Sequence, residues 1–551
     1  MPGRTVRLAL CGLMASVAVV AAGCGSGGGS SSSSSSTGGG GSTTAANQTL
    51  TMAFGSEPPS LDPGLATDTS SANILYNIMD PLIKLGPSPG LRPEPGMAQS
   101  WDVNGSTVTI HLRHDGKWSN GQPVTAQDYV YSWLRTISPE LGADYAYQFF
   151  GIKGAAEYNA CDPKKADCNA LKKKVAISAP DKYTIKVVLT SPQPWFIQQL
   201  GHTSFLAVNK SAVEKWGNKW TEPAHIVTNG PFELTQWQHN AQVVLTKWSG
   251  WRDAGSVKLN KVILKIIPEG STAEQAFASG QVDVNETGWP PADTQRLKAT
   301  PSYKQFPALG IYYYGFNVKN ITDVNQRRAM AFAIDREAIV KNITQTGQVP
   351  ATGFTPQGMP GFSALKQDFL PTTSDMTKAK DFMAKVKNPK KDITLFFNNA
   401  PGHKEIAVAI QSYWQKLGLH VTLKQQDWPQ FLQFLGPPPN KAVDVYRNGW
   451  IADYPDSINF LNLFECKSGN NNTNYCNPKY DALVKQAEAT PDTNQRYQLY
   501  KQLEAMLDGP NGDMPIMPIY WYTYTLQVKP NVQGMSINPM DSIDFTKVSV
   551  S

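Results

Sequence analysis

Three carboxylates lie close together late in the chain, Asp453, Asp456 and Glu465, and two carboxyl groups that meet in space are all that a glycosidase needs. The other patterns that could do chemistry lack their context. The one literal G-x-S-x-G is Gly86-Pro87-Ser88-Pro89-Gly90; a nucleophile elbow requires a strand-to-helix turn at that serine, and prolines on both sides of Ser88 forbid the helix. A surface turn is expected there. His111 and His114 are three apart, which in a strand sends them to opposite faces, and seven histidines in the whole chain offer little for a metal cluster. No HExxH, Gly-rich phosphate loop or Walker lysine occurs. The residues point to no catalytic centre, no cofactor and no metal.

The segments that carry these residues alternate between strand-like and helix-like patterns, which argues an α/β architecture. Thr107 to Leu112 alternates polar and apolar residues, and Thr125 with Asp128 has the form of a capping box opening a helix through Tyr129, Val130, Trp133 and Leu134. Helical spacing recurs at Arg327–Val340, Glu405–Leu417, Tyr480–Glu488 and Gln495–Leu507, and strands are expected at Val243–Lys247, Val262–Ile267 and Ile393–Phe397. The proline-rich pieces Gly86–Pro95 and Gly436–Pro439 read as exposed turns.

The first residues say where the chain works. Arg4 and Arg7 precede an apolar run from Leu8 to Ala22, followed by Ala21-Ala22-Gly23-Cys24 and a tract of glycine and serine. A run of about 15 residues is too short to span a bilayer, and the small residues before Cys24 suit a lipoprotein signal cleaved there. Lipid on Cys24 would hold the protein at a membrane surface, and the coil from Gly25 to Ala46 would give it a reach of roughly 25 Å. Four cysteines remain beyond Cys11 and Cys24: Cys161, Cys168, Cys466 and Cys476. Of three possible connectivities, closure entropy favours the two nearest-neighbour pairs, each contributing roughly 2 to 3 kcal/mol in an oxidising compartment. The net charge of +6, part of it from Arg4 and Arg7, is too small to imply nucleic-acid binding, and 14 Trp with 21 Tyr suit large cores or a carbohydrate or peptide groove. Two or three domains are expected.

Several segments together carry a resemblance. They include Ser60-Leu61-Asp62-Pro63, Ala98-Gln99-Ser100-Trp101, His111-Leu112-Arg113, and the run Lys117-Trp118-Ser119-Asn120-Gly121-Gln122-Pro123-Val124-Thr125-Ala126-Gln127-Asp128-Tyr129-Val130. Val227-Thr228-Asn229-Gly230-Pro231-Phe232, Ser279-Gly280-Gln281-Val282-Asp283, Ile334-Asp335-Arg336 and Tyr446-Arg447-Asn448-Gly449-Trp450-Ile451-Ala452-Asp453-Tyr454 follow in order. From Leu50 to its end the chain resembles the family 5 extracellular solute-binding proteins of ABC importers. That resemblance implies a type II periplasmic-binding-protein-like α/β fold, two lobes with a hinge and a third inserted domain. Its implied parts are residues 1–23 as signal, 24–47 as lipidated cysteine and tether, 48–82, 208–309 and 522–551 as domain I, 83–207 as domain II, and 310–521 as domain III.

The resemblance also implies roles. Asp453 falls where the family pairs a carboxylate with a peptide's amino terminus, and Arg447 where an arginine takes the peptide's carboxylate. Gly449 to Ile451, with Trp450 between them, would hydrogen-bond the peptide main chain as an added strand, with Thr67 to Thr69 as a second edge. Trp450, Trp428, Tyr145 and Tyr522 match aromatic positions that wall the side-chain pockets. The expected function is a monomeric, lipid-anchored receptor on the outer face of the cytoplasmic membrane, or its periplasmic side, that delivers oligopeptides to an ABC permease and binds no nucleic acid. The rivals are another solute on the same scaffold, such as a sugar, metal chelate or antibiotic, a secreted hydrolase, and a surface protein without ligand.

Overall fold

The computed structural model describes residues 48–551, apart from 87–90, 367 and 437–440. The signal-like segment, Cys24, the tether through residue 47, Ser88 with its flanking prolines and Pro437–Pro439 lie outside the described residues.

Local pattern becomes structure where it is strongest. Thr107–Leu112 is a strand with Val108, Ile110 and Leu112 buried, as a period of two requires. It lies in a four-stranded sheet with Ala98–Asn104, Ile177–Asp181 and Thr184–Val188. The helix Ala126–Ile137 packs on it and opens on the expected capping box: the Asp128 carboxylate accepts from the N–H and the hydroxyl of Thr125, both at 2.8 Å. Trp133 of that helix is buried and donates its indole N–H to the Phe205 carbonyl. Both cysteine pairs close as nearest neighbours, Cys161–Cys168 and Cys466–Cys476.

The larger sheet has eleven strands, and two long ones carry it. Tyr303–Phe316 and Ile516–Val528 run antiparallel beside each other through its middle. On one side Val445–Ile451, Asp392–Asn398 and His420–Gln426 follow; on the other, Val284–Asn285, Thr49–Phe54, Lys261–Ile266, Gln242–Lys247 and Phe232–Gln238. Aromatic and β-branched residues suit such a two-sided strand. Tyr312 and Tyr314 turn to one face, where Tyr312 stacks on Tyr520 at 4.7 Å, and Tyr313 turns to the other, against Phe354 at 5.2 Å. The ladder between the long strands shifts register between Pro307 and Ile311, where proline has no N–H to give.

Apolar residues gather in four large clusters. One joins Thr49–Phe54, the helix Thr69–Ile78, the strands between 232 and 266 and the end of the chain; a second lies within residues 82–207; the third and fourth cover opposite faces of Ile311–Phe316. Between the first two, Arg135 grips Asp62 through both guanidinium nitrogens (2.9 and 2.5 Å), and Trp220 donates to the same carboxylate (3.2 Å). No helix among the described residues is long and apolar enough to cross a membrane.

Three local expectations need correction. Arg327–Val340 is not one helix: Val324–Phe332 ends, and Arg336–Ile339 restarts after Asp335, whose carboxylate accepts the Ala338 N–H at 2.8 Å. The break is held by Arg336, fully buried, whose guanidinium donates to the carbonyls of Ala331, Ile334, Pro371 and Pro518. The guanidinium so satisfies the Ala331 and Ile334 oxygens that the interrupted helix leaves free, and ties the break to Pro371 and Pro518. His114 lies past the end of its strand and stacks on Tyr183 at 4.2 Å. The described part of Gly86–Pro95 is more than an exposed turn, since Pro93–Pro95 pairs with Ile83–Leu85 and Leu91 is buried.

Buried carboxyls give the fold a pH dependence. Glu504 accepts hydrogen bonds from the N–H groups of Phe354 and Thr355 and from the Thr355 hydroxyl, yet burial pushes it up to about 7. Glu488 is likewise pushed up to about 7 and Glu465 to about 8, burial being the first cause in each. Such groups hold a proton in the folded state that the unfolded chain releases above its ordinary carboxyl range. Their contribution is complete below about pH 4.5 and is lost as pH rises through 7 to 8. His403 acts at the other end, since burial and then the Arg447 charge hold it well below its ordinary value and favour the fold above pH 6.5. Thermal melts should therefore show the midpoint falling from pH 6.5 to 8.5, with a shallower fall in Glu504→Gln; a midpoint that rises across that range contradicts the assignment.

Candidate functional site

The strand Val445–Ile451 is paired fully on one side, Gly310 to Phe316 opposite Ile451 to Val445. On its other side the pairing with Asp392–Asn398 covers only Val445 and Tyr446. From Arg447 onward that edge has no strand partner among the described residues, and it opens on a cavity of about 1200 Å³. This exceeds the 300 to 1,000 Å³ usual for a small-molecule site.

Asp453 follows the strand. Its backbone N–H donates to Asn459 Oδ1 at 2.9 Å, and Asn459 returns a hydrogen bond to Asp453 Oδ2 at 2.9 Å. Gln148 Nε2 donates to the same oxygen (2.8 Å), Tyr145 Oη donates to Oδ1 (3.2 Å), and His202 Nε2 lies 3.3 Å from Oδ1. The carboxylate is 9% exposed. Burial first, and Asp453's charge second, push the Tyr145 phenol well above its ordinary value, so it stays a donor. Four side chains thus aim at one anion, three of them from residues 145–202, across the cavity from the strand.

Arg447 presents the opposite case. It is 8% exposed, donates to Asn398 Oδ1 (3.2 Å) and Tyr522 Oη (2.7 Å), and lies 4.6 Å from the centre of the Tyr312 ring. Its Nε has no hydrogen-bond partner, and no carboxylate stands within ion-pair distance among the described residues. Nearby His403 is kept neutral, as its lowered pKa implies. A buried guanidinium with neutral partners and a donor to spare favours an anion.

Gly449 is what lets these groups meet. A Cβ there would stand 2.3 Å from Tyr522 Oη, and one on Gly310, paired with Ile451, would stand 2.5 Å from Ile451 Cδ1 and 2.9 Å from Tyr522 Cδ2. The two glycines leave the slot through which Tyr522 reaches Arg447.

All ten residues singled out from the sequence line this one cavity: Thr67, Thr69, Tyr145, Trp428, Arg447, Gly449, Trp450, Ile451, Asp453 and Tyr522. Trp450 is 6.1 Å from Tyr145 and donates to Asn459 Oδ1. Trp428 opens the helix Trp428–Leu435 and hydrogen-bonds toward Asp68, whose carboxyl burial raises and whose bonds to Ser71 and Trp428 lower. Thr69 differs from the expected edge: Asp68 is extended and caps the helix that Thr69 begins. Gln148, His202 and Asn459 around Asp453, and Asn398, Tyr312 and His403 around Arg447, were not anticipated. They sit on separate elements with no motif of their own.

Comparison with known proteins fits this geometry. Residues 92–472 match the model of the bacterial extracellular solute-binding proteins, family 5. The chain is 34% identical over 513 residues to the oligopeptide-binding protein OppA of Bacillus subtilis (strain 168), covering 88% of this chain and 90% of that protein. It is 31% identical over 508 residues to the probable deoxycholate-binding periplasmic protein YgiS of Escherichia coli K12, covering 89% and 91%. The structure of the Escherichia coli murein tripeptide-binding protein MppA superposes with a TM-score of 0.83 at 30% identity, covering 92% of this chain and 99% of that one. The unliganded open form of MppA, with 92% and 98% covered, gives 0.62. The fold is type II periplasmic-binding-protein-like, and the chain belongs to the bacterial extracellular solute-binding proteins, family 5.

Proposed function

We propose that this chain is the lipid-anchored, substrate-binding component of an ABC importer, capturing oligopeptides between two lobes and handing them to a membrane permease without chemistry of its own. One observation carries the reading: a buried anion and a buried, incompletely partnered cation lie along one unpaired strand edge in a single large cavity. A peptide of any sequence offers an ammonium, a carboxylate and a row of amides. Asp453, Arg447 and the edge at Gly449–Ile451 match those three features in that order. The peptide would lie antiparallel to the strand, its amino end at Asp453. The six-residue step between the two charges limits their separation to about 20 Å, so only short peptides reach both.

The arrangement of the chain supports closure around a guest. It superposes better on one MppA structure than on the open form, and Asp453 already meets donors from across the cavity. In this reading domain I (48–82, 208–309 and 522–551), with residues 83–207 inserted in it, closes against residues 310–521 as the opposite lobe, and the guest must favour the closed form by several kcal/mol to trap it. Cys24 would tether the body near the permease.

Calorimetric titration tests the assignment. Asp453→Asn should weaken a free-amine tripeptide by about two to three and a half decades in Kd, equivalent to about 3 to 5 kcal/mol for an unpaired buried ammonium. N-acetylation of the peptide should cost the wild-type protein as much and the variant little more. Unchanged affinity in Asp453→Asn would sink the peptide reading and favour a guest without an amine, such as a sterol acid. Arg447→Met should cost peptides of three to five residues about 10- to 100-fold, with much less effect on their carboxamides; equal losses for acid and amide would remove Arg447 from its role.

A further inference from the structure

Residues 83–207 and 310–521 meet at a second place, beside the Asp453 network and independent of it. The turn Asp144–Phe149 faces two ways: Phe149 packs with the smaller sheet, while Tyr145 and Tyr147 join the apolar cluster of Trp450 and Tyr454. The same divide recurs between Phe196 and Trp195. Trp195 is 4% exposed, and the guanidinium of Arg496, itself 3% exposed, lies 5.5 Å from its ring centre. A cation over an indole attracts most when both are out of water.

The loop that presses on this turn is built to hold one shape. The Cys466–Cys476 disulfide closes it. Inside it, Asn471 donates to the carbonyls of Glu465 (3.1 Å) and Tyr475 (2.9 Å), and the Thr473 hydroxyl donates to Asn471 Oδ1 (2.7 Å). The Val318 N–H, just past the long strand Tyr303–Phe316, donates to the Thr473 carbonyl at 3.0 Å. Gly469 makes the contact: a Cβ there would stand 2.7 Å from both the carbonyl carbon and the Cα of Asp144, backbone atoms that cannot swing aside. Beside it, Asn470 Nδ2 donates to Tyr147 Oη at 3.5 Å.

These contacts differ from the Asp453 network in what they need. Tyr145, Gln148 and His202 must share Asp453 with an arriving ammonium, whereas Gly469 on Asp144, Asn470 on Tyr147 and Arg496 on Trp195 are made between protein groups alone. Contacts that form only when the lobes are together stabilise the closed form with or without a guest. A guest enclosed in the cavity leaves only after the lobes part, so such contacts act on its dissociation rate.

We propose that the disulfide-closed loop 466–476, seated through Gly469 on the backbone of Asp144, is a latch that sets how long a captured guest is held, with Gly469 as its positioning residue. This rests on the two-lobe closure proposed above. The test chases radiolabelled tri-alanine from the whole chain with excess unlabelled tri-alanine to obtain koff, and follows tryptophan fluorescence in stopped flow to obtain kon. Gly469→Val should raise koff at least about tenfold without lowering kon; the double variant Cys466→Ser, Cys476→Ser, which leaves the seated backbone as it is, should raise koff by a smaller factor. A koff unchanged in both, or a loss of affinity carried by kon, overturns the latch and leaves the peptide reading standing. Small-angle scattering of the guest-free chain gives a reading that needs no peptide: Gly469→Val should be more expanded than the wild type, and equal profiles overturn the latch. Failure of tri-alanine to bind the wild type overturns the peptide reading instead, with the scattering still deciding the latch.

Discussion

A carboxylate held out of water where residues 145–202 meet the end of a long strand is the constraint on which the rest of the structure turns. Asp453 belongs to the strand segment that packs with Trp450 and Tyr454, and Tyr145 joins that same apolar cluster, whereas Phe149 and Phe205, close in sequence to Gln148 and His202, pack around the smaller sheet. An anion at such a place is costly unless donors surround it. Three of its four donors come from across the cavity, so the charge is satisfied only when the two sides are together. The same electrostatics that would hold an ammonium therefore also rewards approach of the lobes.

The strand that leads to Asp453 carries the complementary charge at its other end. Arg447 could sit among Tyr312, Tyr522 and His403 only because Gly449 and Gly310 clear a path for Tyr522. Each substitution for a side chain at those glycines would drive a Cβ into the ring or its hydroxyl. Backbone permissiveness, aromatic packing and electrostatics are thus one arrangement, and a long strand with its outer edge unpaired presents the result to the cavity.

Much of this was legible in the residues, for reasons that differ by element. Thr107–Leu112 and the Thr125–Asp128 box are local patterns, and local physics decides them. The ten cavity residues were found through resemblance to a family, because the Arg-x-Gly-Trp-x-Ala-Asp segment keeps its order. The split of Arg327–Val340 was not legible, since its cause is a buried arginine whose carbonyl partners reach as far as Pro518. Gln148 and His202 were missed for the same reason: a donor is recognised by what it faces, and Gln148, 305 positions from Asp453, carries no sign that it faces it, while Asn459, six positions on, has no motif of its own.

The most direct measurement is a crystal structure of the full chain as purified, with whatever guest remains in the cavity. The account predicts an extended peptide whose terminal amine lies within about 3 Å of the Asp453 carboxylate, alongside the edge at Gly449–Ile451. A guest without an amine, or a peptide whose amino end lies away from Asp453, would contradict it.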